Sequence, residues 1–429
     1  MHADVTQLVD HLFRREAGKI VATLTRTFGF QNLHLAEDVV QDALLKAMHT
    51  WPFDGVPENP SAWLMRVAKN GALDLVRREQ DFRSKEEAIA ALLEQRSSAA
   101  DEPSFADEIR DDQLRMIFAC CHPALPRDAQ VALTLKTLCG FGEEEIAAAF
   151  LSSTAAIAKR LVRARQKIRE SAIALTIPAG EELDLRLDAV LQALYLLFNE
   201  GYKASQGEVL VRAELCQEAI RLLQLLVEHP AGDQPKAHAL LALMLFNAAR
   251  LATRADAAGN ILLLAEQDRT LWDRATIERG LCHLHKSAAG NQISEFHLEA
   301  GIASCHCVAA TYEATDWPRI LSLYDMLVEL NHSPVIALHR AVAISHVHGP
   351  EEALCAIEAI PGRELLEEYY LFHAIRAQFH FLLGGFEGAA HGFRAASRLT
   401  NAKSEQAFLA RRLAECEAAQ PIASSRTAT

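Results

Sequence analysis

The chain has 429 residues, about half of them apolar, and a formal net charge of −13. This length exceeds what one hydrophobic core usually organises, so we expect two or more domains. No apolar run reaches the roughly 18 residues that a membrane-spanning helix needs. The N-terminal segment 1–10 also lacks the basic stretch and apolar block of a signal peptide, so we expect a cytoplasmic protein.

The cysteines and the charge distribution narrow the class further. Nine cysteines in so long a chain, some adjacent or two apart, do not resemble a secreted disulfide framework, so we expect reduced thiols. The overall acidity at first argues against nucleic acid, because contact with phosphates needs local positive charge. Residues 1–180 carry only −3 of the net charge, however, and residues 181–429 carry the remaining −10.

Strand signals are nearly absent, and apolar residues recur at intervals of three and four, which predicts an all-α fold. The first informative element is an amphipathic helix at 34–51. Taken alone, it is an ordinary core helix with a solvated acidic face. The side chains predicted to face inward are Leu35, Val39, Ala43, Leu44 and Ala47, and those predicted to face outward are Glu37, Asp38, Gln41 and Asp42.

A second helix follows the turn-rich segment 51–60, with Ser61 as its candidate N-cap. It interleaves Trp63 with cationic and amide side chains, namely Arg66, Lys69, Asn70, Arg77 and Arg78. Separation of DNA strands uses such groups, because cations contact phosphates and an aromatic surface stacks on an unpaired base. Residues 80–112 then carry ten acids against four bases, which predicts a mobile or loosely helical linker at 81–110.

A second compact block, at 111–175, contains the strongest signal in the chain. A short helix from Glu143, with Ile146, Ala147 and Phe150 on its inner face, precedes a turn in which Ser153 is the candidate N-cap of another helix. That is the spacing of a helix-turn-helix. The second helix is predicted to bury Ile157, Leu161, Ala164 and Ile168, and to present Lys159, Arg160, Arg163, Arg165, Lys167 and Arg169 without any acid among them. A plain solvated basic helix is the alternative, but the turn and the basic face together favour DNA binding.

Three segments, in this order, resemble extracytoplasmic-function sigma factors: AEDVVQDALLKAM, NPSAWLMRVAKNGALDLVRR and KRLVRARQKIR. The resemblance assigns residues 1–80 to sigma region 2 and 111–175 to region 4. The remainder, with YLLFNEGY, EQDRTLWDR and SPVIALHRAVA, resembles the subgroup that carries a long tetratricopeptide-like extension, here 183–419. One departure is the turn Leu151-Ser152, where generic sigma factors have glycine and an apolar residue.

The resemblance implies roles at matching positions. It implies contact with core RNA polymerase by Asp38, Gln41 and Asp42. It implies recognition and melting of the minus-ten element by the second helix, and on that basis we predict a set of Trp63, Arg66, Lys69, Asn70, Asp74, Arg77 and Arg78. Ser153, Thr154, Lys159, Arg160 and Arg163 match the helix that reads the minus-thirty-five element, to which we add Arg165 and Lys167 of the same basic face.

The C-terminal part, 183–419, is predicted to be a succession of paired helices, with new helices opening after Gly349 and Gly385. Asn199, Glu200, Gly201 and Tyr202 look like a helix end with Gly201 as a C-cap; a fixed contact with the sigma core and simple packing explain them equally. The segment 420–429 is predicted to be a disordered tail. The extension is expected to regulate the sigma modules, with a protein or small ligand as its partner.

Several residue clusters have simpler explanations. Cys305 and Cys307, with Cys282, His283 and His285, fit no convincing zinc-ligand spacing, so we expect no metal and no cofactor. Cys120-Cys121-His122 favours core packing. Trp272, Tyr312, Trp317 and Tyr324 either anchor helix pairs, which we favour, or line a ligand groove.

The motifs also limit the function classes. The sequence has no glycine-rich phosphate loop, nucleophile elbow or His-Glu-x-x-His motif, so an enzyme is not expected. The alternative to a sigma factor is a helix-turn-helix regulator or helical-repeat adaptor that acts without sigma activity. The block that resembles region 2 favours the sigma factor, because a repressor needs no acidic helix that faces polymerase.

Overall fold

The structure is a computed structural model that describes residues 16–78, 103–149, 152–202, 211–256 and 258–426, without the side chains of 75–78, 103–111, 148–149 and 420–426. These residues form helices and turns, with one isolated antiparallel bridge between Ala255 and Ile261, so the predicted all-α class is confirmed. The α-helices are α1 (16–28), α2 (Leu33–Asp54), α3 (Pro60–Arg78), α4 (Pro103–Cys120), α5 (Arg127–Leu138), α6 (Glu143–Ala149), α7 (Thr154–Glu170), α8 (Glu181–Tyr202), α9 (Ala213–Val227), α10 (Pro235–Ala248), α11 (Arg274–Ser287), α12 (Glu295–Val308), α13 (Trp317–Leu330), α14 (Pro334–Val347), α15 (Pro350–Glu358), α16 (Tyr370–Leu382), α17 (Phe386–Arg398) and α18 (Lys403–Arg426).

The chain divides into two compact units. The first comprises residues 1–197 and 221–232, and the second comprises 198–220 and 233–429. The division falls inside α8, so it does not coincide with the predicted end of region 4 at residue 175 or the predicted start of the extension at residue 183. Most of the linker predicted at 81–110 lies outside the described residues, and its last part begins α4. Helix α18 extends to Arg426, into the segment that we predicted to be a disordered tail.

In the first unit, α2 and α3 pack together through the apolar side of α2. Val39, Ala43, Leu44 and Ala47 are buried as predicted, whereas Leu35 is only partly buried. Helix α3 begins differently from the expectation: the Asn59 side chain, not that of Ser61, accepts the hydrogen bond from the Ala62 N–H at 3.0 Å. Pro at the first helical position leaves no N–H unpaired there, which explains why the helix begins at residue 60.

Helices α4 to α7 form a second group within the first unit, with α7 packed against α5 and α6. Cys120 and Cys121 are buried at the end of α4, which confirms the prediction that they belong to the core. Burial raises the pKa of the Cys121 thiol to about 12, so it is protonated and inert at neutral pH.

In the second unit, α10 packs against α11 and α12, and consecutive helices then pack on one another from α12 to α15 and from α16 to α18. Leu298, Leu327, Leu338 and Phe372 belong to one apolar core that follows this succession. Helices begin directly after Gly349 and Gly385, as predicted. Consecutive packing of this kind is typical of helical-repeat proteins, in which each helix pair buries its apolar face against its neighbours.

Candidate nucleic-acid interface

Helix α7 has the cap and the amphipathic pattern that the sequence predicted. The Ser153 hydroxyl accepts a hydrogen bond from the Ala156 N–H at 3.2 Å, and the cap starts the helix at Thr154. Both Ser153 and Thr154 are exposed. The apolar stripe is buried as predicted, with Ile157, Leu161, Ala164 and Ile168 inside. Of the turn before it, Phe150 and Leu151 lie outside the described residues.

The cations of α7 differ in how freely they face solvent. Lys159, Arg163, Lys167 and Arg169 are exposed. Arg160 is half-buried, and its guanidinium lies 3.6 Å from the exposed carboxylate of Asp128. A pair with so exposed an acid contributes little to stability, so it does not prevent Arg160 from contacting a phosphate.

Arg165 is placed differently from the other α7 cations. Its guanidinium donates to a Glu37 carboxylate oxygen at 2.7 Å, and the Thr137 hydroxyl donates to the other oxygen at 3.0 Å. Only 12% of the Glu37 side chain is exposed. The prediction that Glu37 faces outward is therefore wrong: the helix period gave it a solvent position, but α5 and α7 cover that position.

Two further contacts within the first unit join α1 to α4 and α5. Arg26 of α1 forms an ion pair with the buried carboxylate of Asp112 in α4, at 3.3 Å. A Cβ added to Gly18 of α1 would lie 2.2 Å from the Leu138 carbonyl oxygen at the end of α5. Glycine is required at this position because the two backbones approach so closely. Helices α1 and α2 are thus held against α4, α5 and α7.

The polar residues of α2 and α3 meet at a groove. Asp38, Gln41 and Asp42 are exposed on α2, as predicted. A groove of about 290 Å³ lies between α2 and α3, and its lining includes Asp42 together with Asn70 and Asp74. The structure therefore brings one member of the predicted polymerase-binding set next to two members of the predicted minus-ten set.

The other α3 residues are unevenly exposed. Trp63 is half-buried and packs edge-on against Trp51, with ring centroids 5.4 Å apart, while Arg66 is exposed. Lys69 is only 8% exposed, and burial lowers the pKa of its ammonium, so in this conformation its side chain is largely shielded from solvent. The side chains of Arg77 and Arg78 lie outside the described residues.

The segment 199–202 is helical and belongs to the end of α8 rather than to a loop. Gly201 is no left-handed C-cap: it is buried where α8 meets the start of α9, and a Cβ there would lie 2.7 Å from the Cys216 nitrogen. Close approach of two helices therefore explains this glycine. Asn199 is partly buried, and Glu200 is buried and forms an ion pair with Arg212 at 3.2 Å. Contact of this segment with the sigma modules stays a prediction.

Among the described residues, no three His, Cys, Asp or Glu side chains are grouped so that they could hold a metal ion. Cys307, which the sequence placed in a candidate zinc cluster, is buried, and its thiol donates to the Phe246 carbonyl oxygen at 3.5 Å. Trp272 is also buried and donates to the Thr253 hydroxyl, consistent with an anchor in the core. Within the described part of the chain, no helix combines the length and apolar character needed to cross a bilayer.

Two segments of the first unit match known protein families. Residues 12–82 match sigma-70 region 2, and residues 115–168 match sigma-70 region 4. Residues 186–288 match a family of unknown function (DUF6596). The two sigma-70 regions occur in the order that the sequence motifs predicted, and α7 with its basic face lies in the second of them. They make the chain a sigma factor.

Individual relatives extend the comparison beyond these regions. An uncharacterized protein of Rhizobium meliloti is 39% identical over 383 residues, which cover 89% of each chain. The ECF RNA polymerase sigma factor SigE of Mycolicibacterium smegmatis is 27% identical over 38% of this chain and 60% of its own length. The ECF RNA polymerase sigma-E factor of Escherichia coli is 31% identical over 30% of this chain and 70% of its own length. The chain belongs to the same family as the Rhizobium meliloti protein, C-terminal region included.

Proposed function

We propose that this sigma factor binds core RNA polymerase and directs transcription initiation from specific promoters. In this proposal, residues 1–80 act as region 2 on the minus-ten element, and residues 111–175 act as region 4 on the minus-thirty-five element. The observation that carries it is a capped basic helix in a chain that also matches sigma-70 region 2. A conventional repressor would need the basic helix but no region 2.

The exposure of α7 supports DNA recognition by region 4. Its N-terminal turn offers the hydroxyls of Ser153 and Thr154, and its exposed side offers Lys159, Arg163 and Lys167. The N-terminal part of a recognition helix enters the major groove, and cations farther along the helix contact the phosphates. We therefore assign base contacts to the first two turns, and phosphate contacts to Lys167 and, once it leaves Glu37, to Arg165.

In this proposal, the two predicted surfaces of region 2 adjoin at Asp42, which lines the α2–α3 groove together with Asn70 and Asp74. We assign core polymerase binding to Asp38, Gln41 and Asp42, whose exposure leaves them open to a basic partner surface. The adjoining groove, with Asn70 and Asp74, is assigned to the minus-ten element. Polymerase and the melted strand would thus bind side by side.

The contacts between region 2 and region 4 imply a conformational step. Elements about 25 base pairs apart are separated by roughly 85 Å along the duplex axis. A compact module of this size has a radius of gyration of about 11 Å, so two modules on their own elements do not touch. The Glu37–Arg165 and Arg26–Asp112 pairs must therefore open before both elements are bound.

We further propose that the C-terminal helices are a tetratricopeptide-like regulatory extension of the sigma factor. Their succession of paired helices supports this proposal, since stacked helix pairs present long surfaces for a protein or small ligand. The net charge of −10 on residues 181–429 would favour a partner with basic faces.

The test is reconstituted transcription with purified core RNA polymerase. The full-length protein should co-purify with the core enzyme and direct run-off transcripts from defined start sites, which can be mapped after its overexpression in cells. The core enzyme alone is the control. Specific DNA binding without core association or transcripts would instead support a conventional helix-turn-helix regulator.

A further inference from the structure

Three arginines of the second unit, Arg250, Arg254 and Arg269, interact electrostatically with one another, and no carboxylate among the described residues forms an ion pair with any of them. Arg250 donates to the Tyr202 hydroxyl at 2.7 Å and to the Asn247 side-chain oxygen at 2.9 Å. Arg254 lies over the Tyr202 ring, with its Cζ 3.6 Å from the ring centroid, and donates to the Tyr202 carbonyl oxygen. Within the described part of the chain, neither these two arginines nor Arg269 has an acidic side chain within ion-pair distance.

Arg269 is the most deeply placed of the three. It is 8% exposed, and its Nη1 donates to the carbonyl oxygens of His306 at 2.7 Å and Ala309 at 2.8 Å, where α12 ends. Its other terminal nitrogen, Nη2, is buried and has no hydrogen-bond partner among the described residues. Glu313 acts on Arg269 electrostatically, but its carboxylate is exposed and forms no ion pair with it.

Among the described residues, no negative charge pairs with these arginines. Burial, and then the charge of Arg250, lowers the pKa of both Arg254 and Arg269. Folded proteins normally pair a buried charge or bind an ion with it, because removing a charge from water without a partner is costly. The described partners of these arginines are carbonyl, hydroxyl and amide oxygens and aromatic faces, none of which carries a negative charge. The site has the donors for an anion.

Aromatic rings lie beside these arginines. The pKa of His306 is lowered to about 4 by burial and by Arg250, Arg269 and His346, so its ring is neutral at physiological pH. Its Nδ1 is buried without a hydrogen-bond partner among the described residues. The His306 ring packs edge-on against Trp317 at 5.4 Å, and Trp317 stacks on His346 at 3.7 Å. The cationic group therefore adjoins an apolar aromatic wall.

We propose that Arg250 and Arg269 bind the phosphate group of a small ligand, with Arg254 adding positive charge and the His306–Trp317 wall contacting the body of the ligand. A guanidinium fork matches phosphate oxygens bidentately. A phosphate monoester carries about −1.5 to −2 charges at neutral pH, which suits several cations better than the single charge of a carboxylate does. The site belongs to the second unit, whereas α7 belongs to the first, and phosphate binding requires no sigma activity.

Titration calorimetry on the full-length protein tests the proposal, with inorganic phosphate, phenyl phosphate and benzoate as probes. We expect both phosphates to bind, phenyl phosphate more tightly because of the wall, and benzoate to bind at least tenfold more weakly. Absence of phosphate binding, or equal binding of benzoate, would overturn the proposal. These measurements involve neither polymerase nor promoter, so their failure is distinguishable from failure of the sigma assignment.

Variants locate the site. Arg250→Gln and Arg269→Gln should each weaken phosphate binding roughly ten- to a hundredfold, as expected for loss of a charge-assisted hydrogen bond. Arg394→Gln is the matched control, since Arg394 lies in the same unit and pairs with Glu417 at 3.1 Å. If Arg269→Gln fails to fold, as judged by circular dichroism, the half-buried Arg250 still decides the result. Undiminished binding in Arg250→Gln would overturn the assignment.

Discussion

Two groups of cationic side chains in this protein occupy opposite environments. On α7, Lys159, Arg163 and Lys167 are exposed and hydrated. In the second unit, Arg269 is buried, and Arg254 is covered by the Tyr202 ring and has lost part of its hydration. Both groups have positive charge and guanidinium donors, so composition alone does not distinguish them. The degree to which their side chains are buried does distinguish them.

The environments suit different anions. Exposed cations contact the phosphates of the DNA backbone and release the counterions bound there. This release supplies much of the binding free energy and makes DNA binding steeply dependent on salt. Buried cations have fixed directions and are screened much less by salt. Phosphate binding at Arg250 and Arg269 should therefore change little over a range of salt in which promoter binding by α7 collapses.

The largest expected effect comes from removing everything after Ala179. The truncated protein would lose the part of α8 that belongs to the first unit, including the fully buried Leu187, Val190 and Leu194. Large buried side chains contribute about 2–5 kcal/mol each, so the remaining sigma modules should lose stability and promoter-dependent transcription together. Run-off transcription with circular dichroism measures both. Full activity of the truncated protein would show that the C-terminal region is dispensable.

The next largest effect is expected from changing Lys159, Arg160 and Arg163 together to Ala. Loss of three base or phosphate contacts should cost several kcal/mol, at about 1–3 kcal/mol for each good base contact, and abolish specific promoter recognition. Binding to core polymerase should remain, because none of the three side chains belongs to the buried stripe of α7 and none lies in the α2 surface assigned to polymerase. Promoter selection and pull-down with core enzyme measure the two effects.

The triple variant also tests whether the exposed α7 cations and the arginines of the second unit bind different anions. Its affinity for phenyl phosphate should equal that of the unaltered protein, and Arg250→Gln should show unaltered promoter binding. The slope of log affinity against log salt should also fall by about one for each phosphate contact removed. Unchanged promoter selection in the triple variant would refute the assignment of α7.

A smaller effect is expected at Glu37, which binds Arg165. Arg165 is partly buried, so among the α7 cations it most resembles the buried arginines of the second unit. Glu37→Gln keeps an acceptor for the Thr137 hydroxyl but removes the charge that Arg165 contacts at 2.7 Å. We expect a loss of about 1 kcal/mol in stability and a severalfold gain in DNA affinity, since Arg165 is released. Thermal unfolding and promoter binding measure these changes, and the Arg165→Gln variant should show the stability loss without the gain in affinity.

Local sequence patterns predicted the elements well where the pattern itself determines the structure. The period of α7 identified its buried stripe, and Ser153 was recognised as its cap from the turn before it. Gly349 and Gly385 likewise marked helix starts. Propensity, capping and periodicity act over a few residues, so they can be derived from the sequence without knowledge of the tertiary structure.

Contacts between distant residues were beyond the same reasoning. The period of α2 assigns Glu37 to solvent and carries no information on its partners, Thr137 and Arg165, which lie 100 and 128 residues away. The sequence pattern predicts a helix cap at Gly201, whereas a close approach to Cys216 explains this glycine. The arginines of the second unit likewise come from segments far apart in the fold, so the motif EQDRTLWDR, which contains Arg269, does not by itself predict their cluster.

The smallest effect on stability is expected at the acidic face of α2, which is the anionic counterpart of the exposed α7 cations. Asp38 and Asp42 are exposed, and surface substitutions of this kind usually change stability by no more than about 0.5 kcal/mol. Changing both to Lys should nevertheless weaken binding to core RNA polymerase, because reversal of two charges turns attraction to a basic surface into repulsion.

Thermal unfolding of the double variant, with core-binding assays at two salt concentrations, measures both quantities. A screened electrostatic contact predicts that high salt narrows the difference between the variant and the unaltered protein. Glu144→Lys, an exposed acid on α6, is the matched control for charge reversal elsewhere on the first unit. Unfolding of the double variant would show that Asp38 and Asp42 have a structural role. Normal binding to core enzyme would show that polymerase contacts another face, and that these two acids are merely solvated.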